Sequence, residues 1–415
     1  MACRSGREVK THCPLARLSV RIAPAHYRRM TLPQNELPVA LSIGIMAWNE
    51  EASIVPMLAS LFEQSIFAHL AARNECCEVI CLANGCTDRT VAVADKIFSR
   101  MERDHPARRG LRARVADITT PGRNNAWNRF VHEFSARETR FICLMDADIV
   151  FNRPDTLQLV LAELEWNPQL GGASDTPVKN IANKARPTWR ERLSLATSDM
   201  TGTIAGRLNG MLYCLRAEIA RNLYPPRDVL ANDDGFFKAA ICTDFFRAPL
   251  DSSKVVSVRA ATHLYEPYLS LHDVLNNQKR QMIGQATVHV IVEYLLTLPE
   301  SDRAQLAATL QRLEARDPDW LKKLIDAHVA RTRYFWRLFP GILGFRWRRL
   351  AQLHGMRRLT HFPAAVAGFA VTLVACWQAA RFLRRGVSNY WPKAARLTTP
   401  VTPPLGAEQS TENSP

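Results

Sequence analysis

Several protein classes are excluded by what this chain lacks. Its ten cysteines are scattered over 415 residues with no Cys-x-x-Cys pair and no regular ligand spacing, which argues against a disulfide framework or a zinc module. Cys81 and Cys143 lie inside apolar, strand-like runs and read as small hydrophobes of a reducing compartment. The N-terminal stretch has no continuous apolar core of the secretory type. Its first 29 residues are Arg-rich and irregular, and Met30, directly before the ordered part, is the expected alternative start. No internal repeat is visible, and no acidic residue occurs between Asp326 and Glu408.

That last absence explains most of the net charge of +15. Residues 331–396 hold twelve Arg and one Lys, whereas residues 41–330 together carry only −1. A near-neutral middle of this size, in a chain 47% hydrophobic, is expected to bury a large core. The basic excess belongs to a tail. There "YFWRLFPGILGFRW" (334–347) mixes aromatics with Arg, a composition suited to a membrane–water interface. "FPAAVAGFAVTLVACWQAA" (362–380) is nineteen residues without a charge, and a membrane helix is expected over 362–383. Arginines flank it on both sides, so charge asymmetry gives no orientation, and a spanning and a surface-lying helix both fit. Anionic lipid would attract it. Nucleic-acid binding through this tail is not expected, because the apolar run suits lipid better than bases. Residues 397–415 are polar, Pro-containing and expected to be disordered.

From Leu41 the chain alternates strand and helix signals. "ALSIGIMAW" reads as a strand, followed by Asn49-Glu50-Glu51 and the helical pattern "ASIVPMLASLFEQ". "CEVICLA" is a second strand that breaks at "NGCTDRT", where Asn84-Gly85 makes a turn and Thr87 or Asp88 caps a helix reaching about Met101. A third strand is expected near Ala113–Ile118, then a helix over "NNAWNRFVHEF", then the strand "RFICLMDAD". This alternation implies parallel βαβ units in an α/β sheet, which binds ligands at the carboxyl ends of its strands. Trp48, Asn84 and Asp146 belong to that rim.

The Asp146-x-Asp148 pair at the end of a buried strand has two readings. It is an acidic turn, or it is a cation site whose carboxylates suit Mg2+ or Mn2+ together with phosphate oxygens. "NDD" before "GFFKAAI" likewise serves as a helix cap or as a source of a catalytic carboxylate.

Taken together, the motifs over roughly residues 40–290 resemble a family-2 glycosyltransferase of GT-A type. "MAWNEE" is similar to the family's opening turn, with Trp48 in the base-stacking place and Met46, Asn49 and Glu50 beside the donor. "ANGCTDRT" is similar to the family's "DDGSTDGT", with Ala83 and Asn84 replacing both aspartates, so Asn84 is the remaining contact to a pyrimidine. "PGRNNAWN" puts Arg123 where a basic residue faces the donor, and "GMLYCLR" (210–216) resembles the floor of the sugar pocket. Within "DAD", Asp148 takes the place of the direct metal ligand and Asp146 that of a ribose or sugar contact or second ligand. His263 in "ATHLYEP" is a further candidate ligand. In "LANDDGFF" Asp233 aligns with the catalytic base, Asp234 is the alternative, and Asn232 replaces a Glu. The family's QxxRW survives only as Arg280, with Asn277 and Gln281 in place of Gln and Trp, which argues against processive synthesis.

Composition gives an irregular extension over 1–38 and a helical Arg- and aromatic-rich region over 291–396, and the resemblance implies a mostly parallel mixed sheet flanked by helices over 39–290. It implies metal-assisted, inverting transfer of a hexosyl or N-acetylhexosaminyl group from a nucleoside-diphosphate sugar, UDP favoured, to a hydroxyl acceptor that membrane attachment makes lipid-linked. The expected location is the cytoplasmic face of a membrane. A sugar nucleotidyltransferase and an inactive membrane adaptor of the same fold are the rival readings. The first should open on a Gly-rich phosphate loop, which "MAWNEE" is not.

Overall fold

The computed structural model describes residues 37–184, 206–227, 233–268 and 270–386, together with 186, 188, 191 and 195. The extension expected over 1–38, all but its last two residues, and the tail expected over 397–415 lie outside these, as do Met30 and Asn232.

The strands are β1 (Val39–Ala47), β2 (Cys76–Asn84), β3 (Leu111–Ile118), β4 (Phe141–Asp146), β5 (Val150–Phe151), β6 (Gly172–Lys179), β7 (Leu212–Arg216) and β8 (Val255–Tyr265). They form one eight-stranded sheet in the order β3-β2-β1-β4-β7-β6-β8-β5. The β1–β2, β2–β3, β1–β4 and β6–β8 pairs are parallel. Strand β7 runs antiparallel between β4 and β6, and β5 is antiparallel to β8. The sheet is therefore mixed, as expected.

Side chains alternate across the sheet, and each strand feeds two cores. On one face Ile43 and Ile45 of β1, Val79 and Cys81 of β2, and Cys143 and Met145 of β4 pack against α1 (Ile54–Phe62), α2 (Ile66–Ala72), α3 (Thr90–Asp104) and α5 (Thr156–Trp166). On the other, Ile80, Leu82, Ile142, Leu144, Tyr213 and Leu215 pack against α4 (Arg123–Arg129), α6 (Ala217–Arg221) and α7 (Asp233–Cys242). The same core continues into α8 (Leu271–Leu296) and, past the short α9 (Glu300–Ala304), into α10 (Leu306–Arg316), α11 (Trp320–Arg331) and α13 (Met356–Arg384); α12 (Ile342–Ala351) precedes α13. Sheets covered on both faces need strands that are largely apolar, and β1 and β2 are buried at every position, with the hydroxyl of Ser42 in β1 donating to the Glu78 carboxylate in β2. The expected boundary after residue 290 falls inside α8, whose C-terminal half supplies Val290, Ile291 and Leu295 to the shared core.

The loops at the carboxyl ends of β1 and β2 are laced together. Asn49 adopts a left-handed backbone (φ +54°), which Asn tolerates well. Its Oδ1 accepts from the Thr87 N–H at 2.7 Å, Glu50 N–H donates to Thr90 Oγ1 at 2.8 Å, and Arg89 Nε donates to Glu51 Oε1 at 2.8 Å. Asp88, one of the two expected caps, accepts from the Thr90 N–H at 3.0 Å. Gly85 turns the chain at φ +65°, and a Cβ there would lie 2.8 Å from Pro121 Cβ, so this turn requires glycine.

Candidate active site

The parallel order β2-β1-β4 brings three strand ends to one rim. Met46 pairs with Leu82 on one side and Asp146 on the other. Just beyond it Trp48 lies at the rim, 37% exposed. Met46 itself is packed in the core, with its carbonyl accepting from the Ala147 N–H, and contributes position rather than a free side chain. Asn84 is also buried. Its Oδ1 accepts from the Gly122 N–H at 2.9 Å, which fastens the β3–α4 loop to the end of β2. Asn49 and Glu50 act here through the loop bonds given above.

That fastened loop delivers Arg123 to the centre of the site. Its Nη1 donates to Asp146 Oδ1 at 2.6 Å, its Nε to Asp233 Oδ2 at 3.2 Å, and its Nη2 to the Gly210 carbonyl at 3.0 Å. Three segments far apart in sequence are thus gathered on one planar guanidinium, a use for which Arg is suited and Lys is not. Burial opposes its charge, but the Asp146 and Asp233 carboxylates outweigh it and push the Arg123 pKa up. Burial likewise raises the Asp146 carboxyl against the pull of Arg123, with the Asp148 charge adding to the rise.

Behind the cluster lies an aromatic wall. Trp127 Nε1 donates to Tyr213 Oη at 2.8 Å, and the Trp127 and Phe237 rings stack at 4.8 Å. Burial and the Asp233 charge drive the Tyr213 hydroxyl pKa up, so Tyr213 stays neutral. Asp233 and Asp234 open α7, where carboxylates favour the positive end of the helix dipole. Asp234 is half-buried, and burial, reinforced by the Asp233 charge, pushes its pKa up to about 6. Arg280, on α8, donates through Nη2 to Asn277 Oδ1 at 3.0 Å. Burial lowers its pKa, and it senses the charges of Arg123, Asp146 and Asp233, which places it beside the cluster.

The candidate metal ligands are not gathered in this way. Asp148 is exposed at the turn after β4, whereas His263 is fully buried in β8. His263 Nδ1 meets Asp175 Oδ2, and Asp175 Oδ1 accepts from Asn209 Nδ2 at 3.1 Å. Among the described residues, no three His, Cys, Asp or Glu side chains are placed to hold a metal. The chemistry of the rim still fits Mg2+ or Mn2+, since such ions are commonly held by one or two carboxylates plus substrate phosphates. The Asp175–His263–Asn209 network was not anticipated. Its one sequence signal was a charged residue within the strand-like run "GASDTPV".

A mixed sheet with helices on both faces and an acid–arginine cluster at its strand ends defines a GT-A-like α/β architecture. Residues 42–215 match the family described as Glycosyl transferase family 2. Asp233, His263 and Arg280 lie beyond this stretch. No curated protein shows a significant match to the chain. Among solved structures, S. aureus TarS 1–349 is similar with a TM-score of 0.41 and 13% identity, over 85% of this chain and 93% of that one. The same TarS fragment in complex with UDP-GlcNAc gives 0.39 and 14%, over 84% and 92%. Glucosyl-3-phosphoglycerate synthase from Mycobacterium tuberculosis, in complex with Mn2+, UDP-glucose and phosphoglyceric acid, gives 0.40 and 16%, over 63% and 82%.

Proposed function

We propose that this protein transfers a hexosyl or N-acetylhexosaminyl group, with inversion and without processivity, from a nucleoside-diphosphate sugar to an acceptor hydroxyl. The observation that carries the reading is the convergence of Asp146 and Asp233 on Arg123 at the carboxyl ends of the strands. It supplies, in one place, carboxylates for proton removal and a cation for a departing diphosphate.

In this reading the donor base stacks on Trp48, which stands partly exposed at the rim. With Asn84 Oδ1 committed to Gly122, the Asn84 amide nitrogen is the group left to donate to a base carbonyl, and uracil, with two ring carbonyls to cytosine's one, is the favoured base. Arg123 and Arg280 grip the diphosphate. Asp148, with Asp146 next to it, would hold Mg2+ or Mn2+, and a bound divalent ion would supply neutralising charge to the diphosphate. The acceptor proton goes to the Asp233–Asp234 pair. Asp233 occupies the aligned position, where Arg123 orients it, and takes the proton; Asp234 is the alternative base, and its raised pKa would show as a limb in the pH profile. The basic tail favours the cytoplasmic face of a membrane, where a lipid-linked hydroxyl is the natural acceptor.

A screen of nucleotide sugars, scored by released nucleotide with Mg2+ and with Mn2+, tests the reading. Transfer or hydrolysis of at least one UDP-sugar is expected, and Asp233→Asn should keep donor binding while losing turnover. No release from any donor would favour an inactive adaptor, and full turnover by Asp233→Asn would remove that residue from the chemistry.

A further inference from the structure

Over residues 362–380 helix α13 carries no charge on any side, yet only one of its faces is covered. Ala365, Thr372, Ala375, Cys376, Ala379, Ala380 and Leu383 recur at helical spacing and are buried; the last five of these belong to the core that α8 and α11 share. On the opposite face Met356, Leu359, Phe362, Val366, Val374 and Trp377 recur at intervals of three to eight residues and are 42–73% exposed. At 1.5 Å per residue this ridge runs for roughly 30 Å. Helix α12 widens it: the Trp347 ring, itself exposed, lies 6.3 Å from that of Phe362. Soluble chains seldom leave so long an apolar strip in water.

The charge around the ridge indicates what covers it. Arg358, Arg381, Arg384 and Arg385 are exposed near its two ends, and the Arg381 guanidinium lies 4.8 Å over the Trp377 ring. With no acidic residue between Asp326 and Glu408, nothing in this stretch of sequence neutralises them.

We propose that α12 and α13 dock the protein in the plane of an anionic bilayer, with this ridge in the headgroup–acyl boundary, and that α13 does not cross the bilayer. By length and composition His361–Arg384 is long and apolar enough to span, at mean hydropathy 1.6. Its packing argues otherwise. Spanning would carry the covered face into hydrocarbon with its partners attached: Arg346 donates through Nε to Thr372 Oγ1 at 3.3 Å, and the Lys279 ammonium lies 4.5 Å from the Phe382 ring. A charged guanidinium and ammonium at bilayer depth are costly, whereas a ridge sunk by about 5–10 Å leaves both outside. Because α13 packs against α8, which carries Arg280, docking would hold the candidate site at a fixed height above the lipid. The docking is read from this surface alone and does not depend on which sugar is transferred.

Flotation of the full chain tests the proposal, with vesicles of one part phosphatidylglycerol to two parts phosphatidylcholine set against pure phosphatidylcholine. Strong, salt-sensitive binding to the anionic vesicles is expected. Replacing Arg381, Arg384 and Arg385 by Gln should weaken it by about fivefold per charge at low salt. Trp377→Asp and Leu359→Glu should each weaken it by about tenfold or more, with circular dichroism melts and lipid-free donor hydrolysis unchanged. Arg358→Cys and Arg385→Cys should both react with an impermeant maleimide added outside sealed vesicles. Absence of binding, or protection of one of the two cysteines from the outer reagent, overturns in-plane docking. So does a stable lipid-free dimer, seen by sedimentation, that Trp377→Asp dissolves without any vesicle binding, since the ridge would then be covered by a second copy.

Discussion

Arg123 Nη1 lies 2.6 Å from Asp146 Oδ1, so a loop after β3 is pinned to the end of β4 by a charge-assisted hydrogen bond. The same guanidinium reaches Asp233 at 3.2 Å and the Gly210 carbonyl at 3.0 Å. Arg123→Lys keeps the charge but has no planar fork to hold all three partners. It is expected to lower kcat/KM by about a hundredfold, an effect on the scale of losing one preorganised donor to a leaving group. Steady-state kinetics with the best donor checks this, and unchanged kinetics would show that the fork is dispensable.

Asp234 gives the site a pH signature. A base must be deprotonated to act, and its pKa is about 6, so activity should rise with pH through that value and the limb should vanish in Asp234→Asn. Stability should move oppositely. The folded-state pKa lies above the ordinary 3.8, so the folded chain binds the proton more tightly and loses stability as pH rises from about 4 to about 6. Asp234→Asn is therefore expected to melt higher than the parent at pH 7.5, with the gain disappearing below about pH 4. Melting curves across pH test the sign.

His263 and Asp175 are both fully buried and joined through Nδ1. His263→Ala would leave a buried carboxylate with Asn209 as its remaining partner among the described side chains, at a cost of about 3 kcal/mol in urea unfolding. If the residue is structural, metal-dependent donor affinity in the surviving folded fraction should match the parent. Loss of that dependence instead would make His263 a ligand.

Asp148 is the exposed member of the Asp-x-Asp pair. Asp148→Ala should remove the increment in donor affinity that Mg2+ or Mn2+ confers and leave metal-free affinity unchanged. Titration calorimetry with and without the ion separates the two terms.

Much of this was readable along the chain. Strands buried on both faces are predominantly apolar, so β1, β2 and β4 showed themselves as near-continuous runs, and the rule that α/β sheets bind ligands at strand ends put Trp48, Asn84 and Asp146 on one rim. The Asn84-Gly85 turn was equally plain, because few residues accept its backbone. Other features depended on side chains meeting across large sequence separations, which neither periodicity nor local propensity encodes. No pattern in the sequence tells that Asn84 would be occupied by Gly122, that Asp233 would be tied to Arg123, or that His263 would turn toward Asp175. Composition marked the 362–383 run as apolar but left spanning and surface-lying arrangements equally open. Packing against α8 and α12 separated its covered face from its exposed one, because a helix apolar on every side acquires an orientation only from its neighbours.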